Sequence, residues 1–231
     1  MRILALDTSF NTGTIALVEG DEILAELSFY AERSHGEKSM EALEAVFSIA
    51  GAQKSSVDLI AVGTGPGGFT SVRIGIATAK GLALARDLPI VGLSSLLMLA
   101  RSAAPSGGLV AAFAGAGRGE YFGALYELDA MGAGGEARAL VEPLVGPEEA
   151  LHEAILRAAG GREFITAGEA LFADRLIPFG TSIVRASALA YEARRVFESE
   201  GQSDLDALAP LYLRDSDAKL PAERLRDPST I

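Results

Sequence analysis

GTGPGGFTSVRIGIATAKG, residues 63–81, joins the end of a short apolar strand to a long helix through four glycines and one proline. Residues 58–62, which are apolar after Asp58, predict a buried strand, and the helical spacing of apolar residues after Thr70 predicts a helix with Thr70 as its N-cap. Glycine allows the sharp turn between them and leaves room above the helix N-terminus, whose unpaired N–H groups suit an anion. The stretch therefore predicts a strand–loop–helix unit at which a ligand or a partner approaches the backbone.

The glycine loop alone does not identify its ligand. It has neither the G-x-G-x-x-G spacing of dinucleotide-binding folds nor the G-K-[ST] ending of a Walker loop. Lys80 follows Thr70 by ten residues, nearly three helical turns, which is too far along for a Walker lysine. Two interpretations stay open at this point: a phosphate-binding loop, and a tight strand-to-helix connection without a ligand.

The composition bounds the class of protein. The 231 residues suffice for one large or two small domains, and a hydrophobic content of 49% suffices for a packed core. The absence of cysteine excludes disulfides, thiolate catalysis and cysteine-ligated metal centres. The first residues, MRILALDTS, begin a strand without the layout of a signal peptide, and no apolar run approaches transmembrane length. We therefore expect a soluble, cytoplasmic protein that has no membrane partner.

The charge argues against direct binding of nucleic acid. Acidic residues outnumber basic ones by 31 to 20, which gives a net charge of −11 and opposes attraction to phosphates. The acidity either serves solubility alone or favours a basic protein partner.

The predicted elements of the first half form the order strand, strand, strand, helix, strand, helix, followed by a further strand and helix. They fall at residues 3–7, 12–19, 22–28, 37–50 and 58–62, then the helix after Thr70, residues 89–92, and a helix capped by Ser94 that ends near Ala103. This order is typical of an α/β protein with a mixed sheet.

The second half repeats the start of that order. Three strands, a helix that opens at Pro147 and a strand are expected at residues 109–114, 120–128, 137–141, 147–158 and 163–167. The repeat predicts a duplicated unit, with domains at residues 1–105 and 106–231. The second domain is expected to end in a C-terminal helical tail, with its helix at residues 186–199, a polar break at residues 201–206 and a frayed end from Arg224 onward.

Six motifs resemble those of the TsaB family, also called YeaZ, and together they extend over most of the chain. They are ILALDTS at 3–9, His35-Gly36-Glu37 at a helix start, GTGPGGFTSVRIGIATAKGLA at 63–83, GLSSL at 92–96, RGEYF at 118–122 and PLYLR at 210–214. The long glycine-and-helix motif is specific to this family and its relatives.

The resemblance implies a fold and a function. The fold is the duplicated actin-like ATPase fold, which is ribonuclease H-like, with two ββαβ-type halves whose mixed sheets are flanked by helices. The function is that of a non-catalytic subunit that binds and activates TsaD, which transfers a threonylcarbamoyl group to the adenosine next to the anticodon of tRNA. TsaE would join the complex, tRNA would be met only through it, and the free chain would form a homodimer or remain a monomer.

The resemblance also implies two sets of site residues. In active relatives the aspartate of the first strand lies near the metal and phosphates, which places a nucleotide site at Asp7, Thr8, Gly65, Gly67, Gly68, Arg118 and Glu120. The helices at residues 37–50 and 70–86 would form the surface for TsaD and for a homodimer. Its candidate residues are His35, Glu37, Met40, Leu43, Phe69, Thr70, Val72, Arg73, Gly75, Ile76 and Ala79. Ordinary packing of these helices on their own sheet is the alternative.

Several features favour the non-catalytic interpretation. Catalytic relatives use two metal-binding histidines four residues apart, whereas Ser39 stands four residues after His35. Neither a metal site nor a catalytic residue is therefore expected, and no cofactor is expected beyond weakly bound ATP or ADP with magnesium at a subunit interface. A small-metabolite kinase with Asp7 near magnesium is the main alternative function. A peptidase is a remote one, because the sequence shows no Ser–His–Asp or zinc constellation.

Individual residues leave alternatives open. Asp7 is interpreted as a cap for the following turn, in preference to a remnant of a ligand site. Arg73 could pair with a phosphate or with a partner carboxylate, or it could be solvated, and His35 is expected at the surface or an interface. Arg118 and Glu120 could form a turn pair or a contact across the interdomain cleft.

The chain also departs from its own family before the second set of strands. The family's Asp-Ala-Arg-x-Gly-Glu is replaced by Gly115-Ala116-Gly117-Arg118-Gly119-Glu120. Any contact that the family makes through the replaced aspartate and the first arginine is therefore in doubt here.

Overall fold

The first half of the protein is built on a five-stranded mixed sheet. The computed structural model describes residues 1–31, 34–131, 135–169 and 180–213. The strands are β1 (Arg2–Asp7), β2 (Thr12–Glu19), β3 (Glu22–Tyr30), β4 (Leu59–Gly63) and β5 (Ile90–Leu93), in the order β3-β2-β1-β4-β5. Strands β1, β2 and β3 form an antiparallel meander, while β1, β4 and β5 run parallel.

The second half repeats this topology with one strand fewer. Its strands are β6 (Gly108–Gly117), β7 (Glu120–Leu128), β8 (Ala137–Gly146) and β9 (Ile165–Gly168), in the order β8-β7-β6-β9. The meander β6-β7-β8 is antiparallel, and β9 pairs parallel with β6, as β4 does with β1. The predicted duplication is thus present in the strand order.

Five α-helices connect the strands of the described chain. They are α1 (His35–Ala50), α2 (Phe69–Arg86), α3 (Ser95–Ala103), α4 (Glu148–Ala159) and α5 (Ala186–Glu200). The predicted cap of α3 is confirmed, since Ser94 Oγ accepts a hydrogen bond from the Leu97 N–H. The predicted cap of α2 is wrong: Gly68 is the N-cap, and Thr70 lies inside the first turn.

The helices and sheets form five layers. Helices α1 and α2 cover one face of the first sheet, α4 covers the outer face of the second, and α3 and α5 lie between the sheets. Side chains of β1 alternate accordingly: Ile3 and Ala5 face the central core, while Leu4 and Leu6 face α1 and α2. Because both faces are covered, β1 and β4 are nearly continuous apolar runs.

Each of the two middle helices packs mainly against the sheet of the other half. Helix α3 follows the first sheet in sequence but packs against β6, β7 and β9, whereas α5 packs against β1, β2, β4 and β5. A buried ion pair joins the two helices, since Arg101 Nε of α3 lies 3.1 Å from Glu192 Oε2 of α5. The halves therefore share one central core, although they are consecutive along the chain.

The chain after α5 does not continue as a helix in its described part. The described residues 201–213 contain turns but no helix, and residues 214–231, which include the predicted frayed tail, lie outside the described residues. The described residues include no helix that is both long enough and apolar enough to span a membrane.

Candidate functional site

The loop after β4 folds onto the turn between β1 and β2. We call residues 7–11 the β1–β2 turn and residues 65–68 the glycine loop. Asp7, at the end of β1, is only 2% exposed, and its Oδ1 accepts a hydrogen bond of 2.7 Å from the Ser9 N–H. Its Oδ2 has no hydrogen-bond partner among the described residues, and burial raises the pKa of the carboxyl group. The carboxylate therefore caps the turn, as predicted, and points into the protein.

Ser9 and Ser95 hold the glycine loop by hydrogen bonds on its buried side. Their hydroxyl groups share a hydrogen bond of 2.7 Å, and Ser95 Oγ also accepts from the Gly65 N–H at 3.0 Å. The Ser9 carbonyl accepts from the Gly68 N–H at 2.9 Å. Both serines are buried. Two of the loop's N–H donors are therefore satisfied inside the protein.

Thr8 connects the turn to the start of α2. Its Oγ1 donates to the Ser71 carbonyl at 2.6 Å, and the side chain is 1% exposed. A Cβ on Gly75, one turn further along α2, would lie 2.5 Å from Thr8 Oγ1. Gly75 is therefore needed for the approach of α2 to β1, not for a partner.

Two glycines are required by contacts within this network. A Cβ on Gly63 would lie 2.0 Å from Asp7 Oδ2, and one on Gly67 would lie 2.2 Å from the Ser9 carbonyl oxygen. Both distances are shorter than any packed side chain tolerates. The space that glycine leaves at these positions is filled by the β1–β2 turn.

A cleft of about 340 Å³ separates the two halves beside this network. The first half lines it with Ser9, Phe10, Asn11, Thr12, Gly68, Ser71 and Leu99, and the second with Phe113, Ala114, Gly115, Gly168, Glu169 and Ser182. Among the predicted nucleotide-site residues, Asp7, Thr8, Gly65, Gly67 and Gly68 lie together. Arg118 and Glu120 lie at the β6–β7 turn and are not among the residues that line the cleft.

The predicted partner residues separate into two sets. Five are exposed on α1 or α2: Glu37, Met40, Phe69, Thr70 and Arg73. Six are buried: His35, Leu43, Val72, Gly75, Ile76 and Ala79. The buried set forms the inner faces of the two helices, so Gly75 and Ala79, which were predicted among the partner residues, pack inside the chain instead.

His35 is a buried residue of the chain, whereas the sequence predicted it at the surface or an interface. It is 6% exposed, and its Nε2 lies 2.9 Å from the Phe10 carbonyl oxygen. Ser39, four residues later, is also buried, with no hydrogen-bond partner for its Oγ in the described structure. In the described ranges no three histidine, aspartate or glutamate side chains are grouped closely enough to hold a metal ion.

The N-termini of α1 and α2 border an open groove of about 400 Å³. Its walls include His35 at the start of α1 and Phe69, Thr70 and Ile74 at the start of α2. Phe69 is 44% exposed and Met40 is 49% exposed, so apolar side chains reach the surface of both helices. The surface at this end of the two helices is therefore partly apolar.

Sequence reasoning missed Ser9, Ser71, Ser95 and Tyr212. Ser95 lies in the GLSSL motif, where only Ser94 was assigned a role, and a second hydroxyl beside a helix start was the available signal. Tyr212 contacts Arg73 across 139 residues of sequence, and no local pattern predicts that contact.

Comparison with solved structures defines the class of protein. YeaZ from Pseudomonas aeruginosa matches with a TM-score of 0.76 at 26% sequence identity, over 92% of this chain and 99% of that chain. The activator of the 2-hydroxyisocaproyl-CoA dehydratase from Clostridium difficile, with bound ADPNP, matches with a TM-score of 0.52 at 12% identity, over 88% and 99%. The second likeness concerns the fold alone. The protein has the duplicated actin-like ATPase fold, as the sequence predicts.

Comparison of sequences identifies the family. The family model described as TsaD, tRNA N6-adenosine threonylcarbamoyltransferase, matches residues 29–216. The tRNA threonylcarbamoyladenosine biosynthesis protein TsaB of Escherichia coli (strain K12) is 33% identical over 172 residues, which are 73% of this chain and 71% of that protein. The chain belongs to the TsaB (YeaZ) family, which confirms the resemblance of its motifs. The alternative of a small-metabolite kinase gains no support from these relatives.

Proposed function

We propose that the protein acts in tRNA threonylcarbamoyladenosine biosynthesis as a non-catalytic subunit that binds and activates TsaD. Membership of the TsaB family supports the pathway, since the Escherichia coli relative carries that description. The observation that carries the non-catalytic assignment is the closed glycine loop. Its Gly65 and Gly68 N–H groups donate to Ser95 Oγ and to the Ser9 carbonyl, so they do not face a phosphate.

The residues near Asp7 do not fit magnesium and nucleotide phosphates. One carboxylate oxygen holds the Ser9 N–H, and the other lies against the Gly63 backbone in the interior. A metal ligand must be ionised, whereas burial raises the pKa of this carboxyl group and so favours its protonated form. We derive no catalytic step through Asp7, and we propose that any weakly bound ATP or ADP lies at the interface with another subunit.

The outer faces of α1 and α2 supply the proposed surface for TsaD. Met40 and Phe69 expose large apolar side chains on the two helices, and Arg73 adds a cation beside Phe69. Exposed aromatic, methionine and arginine side chains are enriched at protein interfaces. The same surface would serve a homodimer of the free chain, and TsaE and tRNA would join through the complex with TsaD.

Reconstitution tests this proposal. TsaD from the same organism is incubated with TsaE, ATP, tRNA and threonylcarbamoyl-adenylate, with and without the chain, and the modified adenosine is measured in digested tRNA. We expect its formation to be faster with the chain, whereas an equal rate would contradict the proposal. A kinase would instead show ATP turnover by the isolated chain, abolished in Asp7→Ala.

A matched pair of variants locates the surface. Met40→Asp places a charge on the proposed face of α1, and Ile23→Asp places one on β3 at a similarly exposed residue, 42% against 49%. We expect Met40→Asp to weaken binding of TsaD and Ile23→Asp to leave it unchanged. Equal binding by both variants would remove this face of α1 from the interface.

A further inference from the structure

Arg73 lies within an aromatic cluster at the start of α2. Its guanidinium carbon is 3.5 Å from the centre of the Phe69 ring and 5.4 Å from that of the Tyr212 ring. Its Nε donates a hydrogen bond of 2.7 Å to Tyr212 Oη. Phe69 and Tyr212 are 44% and 49% exposed, so the cluster is open to solvent. Cation–π contact and the hydrogen bond together fix a side chain that would otherwise be flexible.

Tyr212 reaches Arg73 because the chain after α5 folds back over the first sheet. We call residues 202–213 the C-terminal strap. The Ser203 N–H donates to the Ile90 carbonyl at 2.8 Å, which fastens the strap to the exposed edge of β5. The Leu211 N–H donates to the Thr64 carbonyl at 2.8 Å, immediately before the glycine loop. These backbone bonds bring Tyr212 to the N-terminus of α2.

The arrangement leaves the outer end of Arg73 available. Only its Nε is used in hydrogen bonding to the described chain, so the two terminal nitrogens remain as a planar pair of donors. Such a pair matches the two oxygens of a carboxylate. The Arg73 guanidinium thus presents a positive charge at the start of α2. An acidic side chain of a partner is therefore the chemistry that it fits.

We propose that Tyr212 is a positioning residue, which holds Arg73 in the orientation that binds a carboxylate of TsaD. This inference rests on the proposed function, because it takes TsaD as the partner of α2. It adds the C-terminal strap to the binding surface, although the strap lies more than 110 residues from α2 in sequence. Rigid aromatic and arginine side chains with small entropy losses are the usual centres of interface affinity.

A double-mutant cycle on affinity for TsaD tests the inference. We expect Arg73→Ala and Tyr212→Ala each to raise the Kd about tenfold, and the double variant to raise it no further than Arg73→Ala alone. Tyr212→Phe, which keeps the ring and loses the hydrogen-bond acceptor, should lie between wild type and Tyr212→Ala. Loss of Arg73 or Tyr212 should also reduce the dependence of Kd on salt by the same amount.

Arg194→Ala is the matched control for the loss of a cation beside a tyrosine ring. The Arg194 guanidinium carbon lies 6.0 Å from the centre of the Tyr191 ring on α5, which packs on the face of the first sheet opposite α1 and α2. We expect this variant to bind TsaD as wild type does. Additive effects of Arg73→Ala and Tyr212→Ala, or no effect of Tyr212→Ala, would overturn the positioning role. Failure of the wild-type chain to bind TsaD would instead overturn the proposed function.

Discussion

The two halves of the protein share a strand order, to which the first half adds β5. They differ in the turn between their first two strands, which is the β1–β2 turn in the first half and the β6–β7 turn in the second. In the first half, the glycine loop after β4 lies on the buried β1–β2 turn and continues into the 18-residue helix α2. In the second half, β9 ends at Gly168, and the corresponding turn between β6 and β7 is exposed. One fold therefore carries a closed turn in one half and an open one in the other.

The open turn is built from residues with unusual backbone angles. The φ angles are 79° at Gly117, 60° at Arg118 and 77° at Gly119. Glycine adopts positive φ without strain, which explains why it stands on both sides of Arg118. At the equivalent place in the first half, Asp7 and Ser9 form a turn closed by a side-chain hydrogen bond. The comparison teaches that contacts within the protein occupy the loop N–H groups of Gly65 and Gly68 in the first half, whereas the turn of the second half faces solvent.

The largest effect on stability is expected at the buried ion pair that joins helices α3 and α5 between the two sheets. Arg101 is fully buried, and its guanidinium also donates to the Asp129 and Gly135 carbonyl oxygens. Arg101→Met leaves the carboxylate of Glu192 buried with one cation fewer, which should lower the free energy of unfolding by about 3–5 kcal/mol. Urea denaturation followed by circular dichroism measures this loss.

Two further variants serve as controls for this buried pair. Arg157 pairs with Glu153 on the exposed face of α4, so Arg157→Met should change stability by about 0.5 kcal/mol or less. The double variant Arg101→Met with Glu192→Met removes both charges and should recover part of the stability. A loss for Arg101→Met no larger than that for Arg157→Met would show that the pair does not join the halves.

The next effect distinguishes the closed turn from the open one. Gly63→Ala forces a Cβ against the buried Asp7 carboxylate and should destabilise the protein by about 1–3 kcal/mol. Gly115→Ala at the end of β6 meets only Glu169 Oε1, at 3.6 Å, an ordinary contact, so we expect a change within about 0.5 kcal/mol. The difference between their denaturation midpoints is the measurement. Equal midpoints would mean that the two turns are packed alike.

The sequence predicted the strands and helices because their periodicities are local. It could not assign the faces of α2, since small residues occur on both sides, with Gly75 and Ala79 buried and Ala77 and Gly81 exposed. Hydrophobic periodicity identifies a face only when the two sides differ in polarity.

The closure of the glycine loop was not predictable either. It depends on Ser9 and Ser95, which are 86 residues apart. A serine in the sequence does not indicate whether its hydroxyl group will be buried or which group it will bond. The predicted loop and helix were therefore correct as elements, while the contacts that decide what the loop can bind come from distant parts of the chain.

The last prediction concerns the charge that the closed turn buries. Burial is the largest influence on Asp7 and raises its pKa above the ordinary value of 3.8, against the opposing hydrogen bond from the Ser9 N–H. The folded protein thus keeps this proton to a higher pH than the unfolded chain does. Between the two pKa values, unfolding releases a proton, so the contribution of Asp7 to stability falls as the pH rises from about 3.8.

Asp7→Asn removes that titration and keeps an oxygen that can accept from the Ser9 N–H. We compare the free energy of unfolding of the variant with that of the wild type. The difference, variant minus wild type, should rise with pH from about 3.8 and become constant above the pKa of Asp7 in the folded protein. The total rise should be about 1.4 kcal/mol for each pH unit by which folding raises that pKa. Asp204→Asn is the control, because Asp204 Oδ1 accepts from the Asp206 N–H in the same type of turn but is exposed. Denaturant unfolding of all three proteins at a series of pH values measures both differences. A flat difference for Asp7→Asn, or one matched by Asp204→Asn, would mean that the turn of the first half is as open to water as that of the second.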